Sequence, residues 1–271
     1  MKAPSFAYAK PRSLAETFDL LERHGEGACI LAGGQSLIPT LNMRLSSPDV
    51  LVDITGLSEL KQIRKVDGAL HIGALVTHSE IQDSAEIKKA VPLLAQAVPH
   101  VAHAAIRNRG TIGGSLALAD PAAEYPACAL ALEASLVIKN RTGERRVKAA
   151  DYFKGLFETD LQPGDVLTAV EFPAARPADR SVFQELTRRH GDYAIIGLAA
   201  HRNAARLNLA FFGAGPTPVL AKLAAAQKSV QQARENLQKD LNPPADLYNS
   251  SATKLHLAGV LLERAWNTLS T

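Results

Sequence analysis

Two glycine pairs carry the chemistry that can be read from this chain, Ala32-Gly33-Gly34-Gln35-Ser36 and Thr111-Ile112-Gly113-Gly114-Ser115. A glycine lets backbone N–H groups approach an anion closely and tolerates positive φ, so such loops suit phosphate oxygens. Gln35, Ser36, Thr111 and Ser115 add side-chain donors beside the backbone ones. For either pair alone a tight turn is the simpler account. Together, with hydroxyls placed alike, they favour two anion nests gripping one diphosphate from two sides. Arg107 and Arg109 stand just ahead of the second pair, where they would bind phosphate, brace the loop or meet a partner.

Other chemistries lack their residues. Neither pair fits Gly-x-Gly-x-x-Gly or Gly-x-x-x-x-Gly-Lys-Ser/Thr, and no Gly-x-Ser-x-Gly or His-Glu-x-x-His occurs. His100 and His103 lie about one helical turn apart with no third ligand in evidence, so two histidines packed near a helix end account for them better than a metal site. Cys29 and Cys128 each sit in an apolar run, encoding neither a disulfide nor a zinc or iron–sulfur site. With 30 basic and 27 acidic residues the net charge is +3 and the cations are scattered, which disfavours nucleic acid as a partner. The N-terminus lacks a signal-peptide core and no run of about 18 apolar residues appears, so no transmembrane segment and a cytoplasmic location are expected.

The elements that position the glycine pairs follow from periodicity. Ser13-Leu14-Ala15-Glu16 matches a capping box and opens a helix that His24-Gly25 stops. Residues 28–32, 49–54 and 68–73 read as strands, and the first feeds into Gly33-Gly34. A helix opens at 77–81, a mostly buried helical stretch covers 92–105, and another helix starts at Pro121-Ala122-Ala123-Glu124 with proline in its first turn. Residues 136–139 and 145–148 form a hairpin, which makes the basic segment 141–148 a solvated one, and residues 166–172 form a strand. Pro173-Ala174-Ala175-Arg176-Pro177 is the most linker-like segment. Beyond it come strands at 181–186, 194–201 and 206–212, then helices at 220–237 and 251–269, an α+β arrangement with an antiparallel sheet and helices on one face.

Three segments in this order, 31–39, 106–115 and 119–124, together with Arg188-Arg189-His190-Gly191-Asp192-Tyr193-Ala194, resemble the medium, FAD-binding subunit of molybdenum hydroxylases. That family includes the carbon monoxide dehydrogenase flavoprotein and the FAD domain of xanthine dehydrogenase, and the resemblance covers nearly the whole chain. It implies an α+β fold: a two-part FAD-binding domain of the vanillyl-alcohol-oxidase type over 1–175, with parts near 1–55 and 56–175, then a C-terminal domain of antiparallel sheet and helices over 176–271.

The resemblance implies that Leu31, Ala32, Gly33, Gly34, Gln35, Ser36 and Leu37, with Thr111, Ile112, Gly113, Gly114 and Ser115, hold the FAD pyrophosphate. Gln35 replaces a histidine common there and keeps a donor. Glu124 falls at an acidic position near the ribityl and ribose hydroxyls, although a first-turn helix charge would account for it alone. Val101 falls at an apolar flavin contact, or is a core valine. Leu167 matches a position packed on the isoalloxazine. Tyr193 matches one beside the ring, where it would gate access unless it is a core strand aromatic. Gln184 stands where xanthine dehydrogenase has a basic residue, which leaves charge stabilisation of reduced flavin there without its residue. No catalytic residue and no metal ligand is expected on this chain.

The implied function is electron transfer. Substrate is hydroxylated at a molybdopterin cofactor on a large molybdenum-binding subunit, and two [2Fe–2S] clusters on a small iron–sulfur subunit pass electrons to the FAD here, in a dimer of heterotrimers. NAD, a quinone or oxygen would be the final acceptor. A self-contained FAD oxidoreductase of the UDP-N-acetylmuramate dehydrogenase type and a flavin-free assembly module are the competing readings.

Overall fold

The computed structural model describes residues 2–270. The chain opens with β1 (Ala7–Ala9), α1 (Leu14–His24), β2 (Ala28–Leu31), α2 (Leu37–Asn42) and β3 (Val50–Asp53). It continues with β4 (Ile63–Val66), β5 (Ala69–Gly73), α3 (His78–Asp83), α4 (Ala85–Ala90), α5 (Pro92–Ala97), α6 (Ala104–Arg107), α7 (Ile112–Leu118) and α8 (Glu124–Ala131). Next are β6 (Ser135–Asn140), β7 (Gly143–Lys148), α9 (Ala149–Tyr152), β8 (Phe153–Gly155), β9 (Glu158–Thr159) and β10 (Val166–Pro173). The last are β11 (Arg180–Thr187), β12 (Ala194–Arg202), β13 (Leu207–Phe212), β14 (Val219–Leu220), α10 (Lys222–Ala225), α11 (Val230–Asp240) and α12 (Ser251–Ser270).

Of the four sheets among the described residues, one is the two-stranded β8-β9 and the other three organise the fold. The first is parallel, in the order β1-β3-β2. Its central β3 is buried at every position, as a strand covered on both faces must be, and reads Val50-Leu51-Val52 without alternation. The second is antiparallel, β4-β5-β10-β6-β7, and the third, also antiparallel, is β11-β12-β13-β14. In the third sheet the period of two decides what packs where. Phe183, Ala199, Ala210 and Phe212 join the large core that holds α5, α7 and α8, whereas Val182, Ile196, Leu198, Leu209 and Phe211 pack with α11 and α12. The α+β class expected from sequence is the observed one.

Several local expectations are revised. The stretch 92–105 is not one helix: α5 tightens into a 3-10 turn at Val98–His100, Ala102 takes positive φ, and the chain restarts as α6. Pro121 lies outside α8, because Asp120 organises a turn by accepting from the Ala122 N–H at 2.9 Å and the Ala123 N–H at 3.0 Å. Residues 220–237 split into a short strand and two helices, with the Ser229 hydroxyl capping the second. Glu16 sits within the expected capping box, yet its carboxylate accepts from the Arg12 N–H rather than from that of Ser13, so the cap is one-sided. The second glycine pair is not a loop. It forms the first turn of α7, with Thr111 as the cap.

Candidate functional site

At the end of β2 the chain turns through Gly34, whose φ of 72° is left-handed, and enters α2. The N–H groups of Gly33, Gly34, Gln35 and Ser36 find no acceptor among the described residues. Four successive open donors are what an anion nest requires. A Cβ on Gly33 would stand 2.3 Å from the carbonyl oxygen of Arg109 and 2.8 Å from Cα of Gly110. The first pair therefore lies backbone against backbone on the approach to the second, and only glycine permits it. The Gln35 amide folds back to donate to the Gly33 carbonyl at 3.3 Å.

The second pair is built differently. The segment 110–113 runs beside 74–78: the His78 N–H donates to Gly110 at 3.0 Å, the Ile112 N–H to Val76 at 3.0 Å and the Gly113 N–H to Ala74 at 2.9 Å. Gly113 is required by packing, since a Cβ there would fall 2.4 Å from that of Ala74. Its N–H is already committed, and the side chain of Ile112 is fully buried. Gly114 is exposed, a Cβ on it would meet only the Thr111 hydroxyl at 3.0 Å, and its N–H donates to that same hydroxyl at 3.1 Å. The two pairs are thus unequal. The first offers open N–H groups; the second offers one N–H, held by the hydroxyl of the buried Thr111, beside the half-buried Ser115.

Under the second pair lies His78, whose ring would block a Cβ on Gly110 at 2.7 Å. Burial, with a smaller push from Arg107, lowers its pKa to about 4, so the imidazole is neutral. Its Nδ1 and the hydroxyl of Tyr125, whose ring is 5.2 Å away, are buried without partners. Neither of these polar atoms was marked by any sequence motif.

A cleft of about 400 Å³ opens where Gly33 meets the segment ahead of the second pair, lined by Ala32, Gly33, Thr55, Lys61, Arg109 and Thr111 among others, while Gly34 to Ser36 and Gly113 to Ser115 lie outside its lining. Lys61 and Arg109 are exposed and form no ion pair among the described residues, so the walls are positive. Glu80 also lines it, but its carboxylate is taken by the N–H and hydroxyl of Thr77 at 2.7 and 2.8 Å. Lys61 ends the 3-10 turn Ser58–Lys61, and nothing in its sequence setting links it to Gly33. Arg107 resolves as a brace, with Nη1 donating to the carbonyls of Val101 at 3.0 Å, Ala102 at 3.1 Å and Pro99 at 3.4 Å.

A second group of expected residues gathers around that braced turn. Val101 packs on the large core, and Leu167, 6 % exposed, belongs to the same core next to a bulge in β10. Gly191, at φ 78°, sits so close to the carbonyl of Ala102 and the ring of His103 that a Cβ would meet them at 2.7 and 2.8 Å. This places the turn before Tyr193 on the Val101 loop. Tyr193 is 70 % exposed and so is no core aromatic. The charges of Asp120 and Glu124 both act on it. Glu124 opens α8, and burial pushes its pKa up to about 8, with Glu185 and Asp120 adding to the shift and its own N–H and His100 opposing it.

Sequence reasoning missed Glu185. Strand alternation puts Gln184 on the face of Val182 and Glu185 on that of Phe183. There Glu185 receives His100 Nδ1 at 3.2 Å, with Glu185 only 4 % exposed. His100 is therefore an ion-pairing residue, and among the described residues no cluster of three potential metal ligands occurs. No helix of the described chain is long and apolar enough to cross a membrane.

Comparison with known proteins agrees along the whole chain. Residues 4–175 match the FAD binding domain in molybdopterin dehydrogenase, and residues 181–269 the CO dehydrogenase flavoprotein C-terminal domain. The 6-hydroxypseudooxynicotine dehydrogenase complex subunit alpha of Paenarthrobacter nicotinovorans is 40% identical over 225 residues, 81% of this chain and 76% of that one. Carbon monoxide dehydrogenase from Hydrogenophaga pseudoflava, in a form lacking the Mo-pyranopterin moiety, superposes with a TM-score of 0.95 at 32% identity, over 100% of this chain and 99% of that one. Quinoline 2-oxidoreductase from Pseudomonas putida 86 gives 0.93 at 37% identity, over 100% and 99%.

Proposed function

This chain belongs to the FAD-binding, medium-subunit family of molybdenum hydroxylases, and from that premise we propose that it is the electron outlet of a multi-subunit dehydrogenase, with the FAD pyrophosphate lying in the cleft between the two glycine pairs. The observation that carries the placement is the run of open N–H groups at residues 33–36, stacked on Arg109 and Gly110 and flanked by Lys61 and Arg109. Unpaired donors beside unpaired cations match a doubly charged diphosphate.

In this reading Ala32 to Ser36 supply most of the grip, and Thr111 releases the Gly114 N–H to the phosphate. Leu31 and Leu37 flank the first turn, and Ser115 adds a hydroxyl. Val101, Leu167 and Tyr193 enclose the flavin end, with Glu124 on its polar side. FAD, when bound, supplies the redox chemistry and exchanges single electrons for pairs. The chain binds it, orients it and limits access through Tyr193.

The electrons come from [2Fe–2S] clusters on a small iron–sulfur subunit, which receives them from a large molybdenum-binding subunit carrying the molybdopterin cofactor, in a dimer of heterotrimers. Residues 1–175 form the FAD-binding domain and 176–271 the C-terminal one. Purification of the native complex followed by metal analysis tests the assembly. Molybdenum and iron recovered with a larger and a smaller partner chain support it, and a lone chain that is active without either metal contradicts it.

A further inference from the structure

His100 and Glu185 have no part in gripping a pyrophosphate, yet they join the two halves of the chain beside Val101 and Tyr193. His100 closes the 3-10 turn after α5, and its Nδ1 lies 3.2 Å from Oε1 of Glu185 on β11. The Glu185 side chain is 4 % exposed, and its other oxygen, Oε2, is buried with no partner. The imidazole stands 5.2 Å from the ring of Phe183 and 6.5 Å from that of His190. Two loops leave from this pair. Val101 follows His100 directly, and from Glu185 the chain passes a bulge between Leu186 and Thr187 into the turn that carries Tyr193. The loops meet again where Gly191 lies against the Ala102 carbonyl and the ring of His103. Before the bulge, β11 is pinned by Gln96 of α5, which donates to the Ser181 carbonyl at 3.1 Å and accepts from the Phe183 N–H at 3.0 Å. Beyond it the bonds are short-range and near the surface: the Asp192 N–H to the Arg189 carbonyl at 3.1 Å, and the Tyr193 N–H to Asp192 Oδ1 at 3.0 Å. The strand is fixed, and the turn after Glu185 is the part able to respond.

Resting on the reading of Val101 and Tyr193 as walls of a flavin site, we propose that His100 and Glu185 are positioning residues that clasp the Tyr193 turn onto the Val101 loop while His100 carries a proton, and release it when that proton leaves. A buried carboxylate with one oxygen unsatisfied is tolerable while an imidazolium faces the other. Removing that charge leaves an uncompensated buried ion, which is strongly destabilising. A neutral imidazole keeps at most an uncharged hydrogen bond to Glu185, weaker by about tenfold in equilibrium terms. The bond to Glu185 raises the pKa of His100, so the clasp is complete below the ordinary imidazole value of about 6.5 and is lost as pH rises through the raised one. The other charged groups around His100 are Glu124 on α8, His190 on the Tyr193 turn, and Arg107 and His103 on its own side. Burial keeps Glu124 neutral up to about pH 8, above which its charge also favours the His100 proton. The Arg107 guanidinium is spent on the carbonyls of Pro99, Val101 and Ala102.

The test is hydrogen exchange of the full chain, read by mass spectrometry from about pH 6 to 9 and corrected for the intrinsic exchange rate, in wild type, His100→Gln, Glu185→Gln and His190→Gln. Protection of residues 187–194 should fall about tenfold across this range in wild type and in His190→Gln, while β13 keeps its protection. In His100→Gln and Glu185→Gln the profile should be level. In the FAD-loaded chain, reduced with light and mixed with aerated buffer, reoxidation in wild type should quicken over the same range relative to His100→Gln. A level wild-type profile overturns the clasp, and so does a fall shared by β13, one that persists in His100→Gln, or one that disappears in His190→Gln. If a variant does not fold, titration of the His100 ring in wild type by nuclear magnetic resonance replaces it: a midpoint that matches the loss of protection supports the clasp, and one that differs overturns it. A wild-type chain that takes up no FAD overturns the flavin reading instead, and the exchange profile still decides the clasp.

Discussion

Replacing Gly33 by alanine puts the sharpest demand on the joined glycine pairs. The new Cβ would lie 2.3 Å from the Arg109 carbonyl oxygen, 2.8 Å from Cα of Gly110 and 2.9 Å from the Arg109 carbonyl carbon, all of them backbone atoms that no rotamer change can move. Relief to ordinary contact requires the two segments to part by about 1 Å. Overpacking of this kind costs about 1–3 kcal/mol of stability. The same displacement withdraws N–H groups from one side of the anion site. A hydrogen bond to a charged group contributes about 1.5–3 kcal/mol, so each one lost weakens FAD by roughly 10- to 100-fold. Calorimetric titration of the FAD-free chain with FAD gives the affinity, and circular dichroism on heating gives the fold. A folded Gly33→Ala chain that binds FAD within a factor of three of wild type would refute the reasoning.

Gly114→Ala should behave differently, losing FAD affinity with a smaller fall in melting temperature than Gly33→Ala, because its Cβ meets only the Thr111 hydroxyl, at 3.0 Å, and no backbone atom; an unchanged Kd counts against a phosphate there. Lys61→Ala and Arg109→Ala should each weaken FAD several-fold and make binding less sensitive to salt, read from Kd at two ionic strengths. Tyr193→Ala should retain FAD but change the rate of flavin reoxidation in stopped flow, and identical traces would remove its gating role. His78 is neutral in the fold with a pKa of about 4, against about 6.5 when unfolded, so stability is intact above pH 6.5 and falls as pH drops towards 4, by roughly 3 kcal/mol. His78→Gln should flatten that decline in denaturant melts. For Glu124, whose folded pKa is raised, the fold binds the extra proton between about pH 4.5 and 8, so stability falls as pH rises through that window, and Glu124→Gln should remove the fall.

Local signals carried the fold a long way. Residues 14–24 show both an apolar stripe and a cap, and β12 and β13 are apolar runs buried on both faces, so these elements could be read from their own residues. The helix at 92–105 failed because Pro99 and the turn beyond it are set by Arg107, six residues from Val101, whose guanidinium gathers three carbonyls. For the site, the glycines were legible but their division of labour was not. Whether the Gly113 N–H is open depends on Ala74, nearly forty residues away, and the need for glycine at 33 depends on Arg109. Lys61 and Glu185 carry no local pattern at all, since one reaches the site from a 3-10 turn and the other through strand alternation in a different sheet.

Equilibrium dialysis of the purified, FAD-free chain against FAD, with wild type beside Gly33→Ala, tests the central claim most directly. The account predicts one FAD per wild-type chain, with the flavin's visible absorption retained after gel filtration, and loss of that retention in the variant. A wild-type chain that stays colourless, or a Gly33→Ala chain that keeps its FAD equally well, would contradict it.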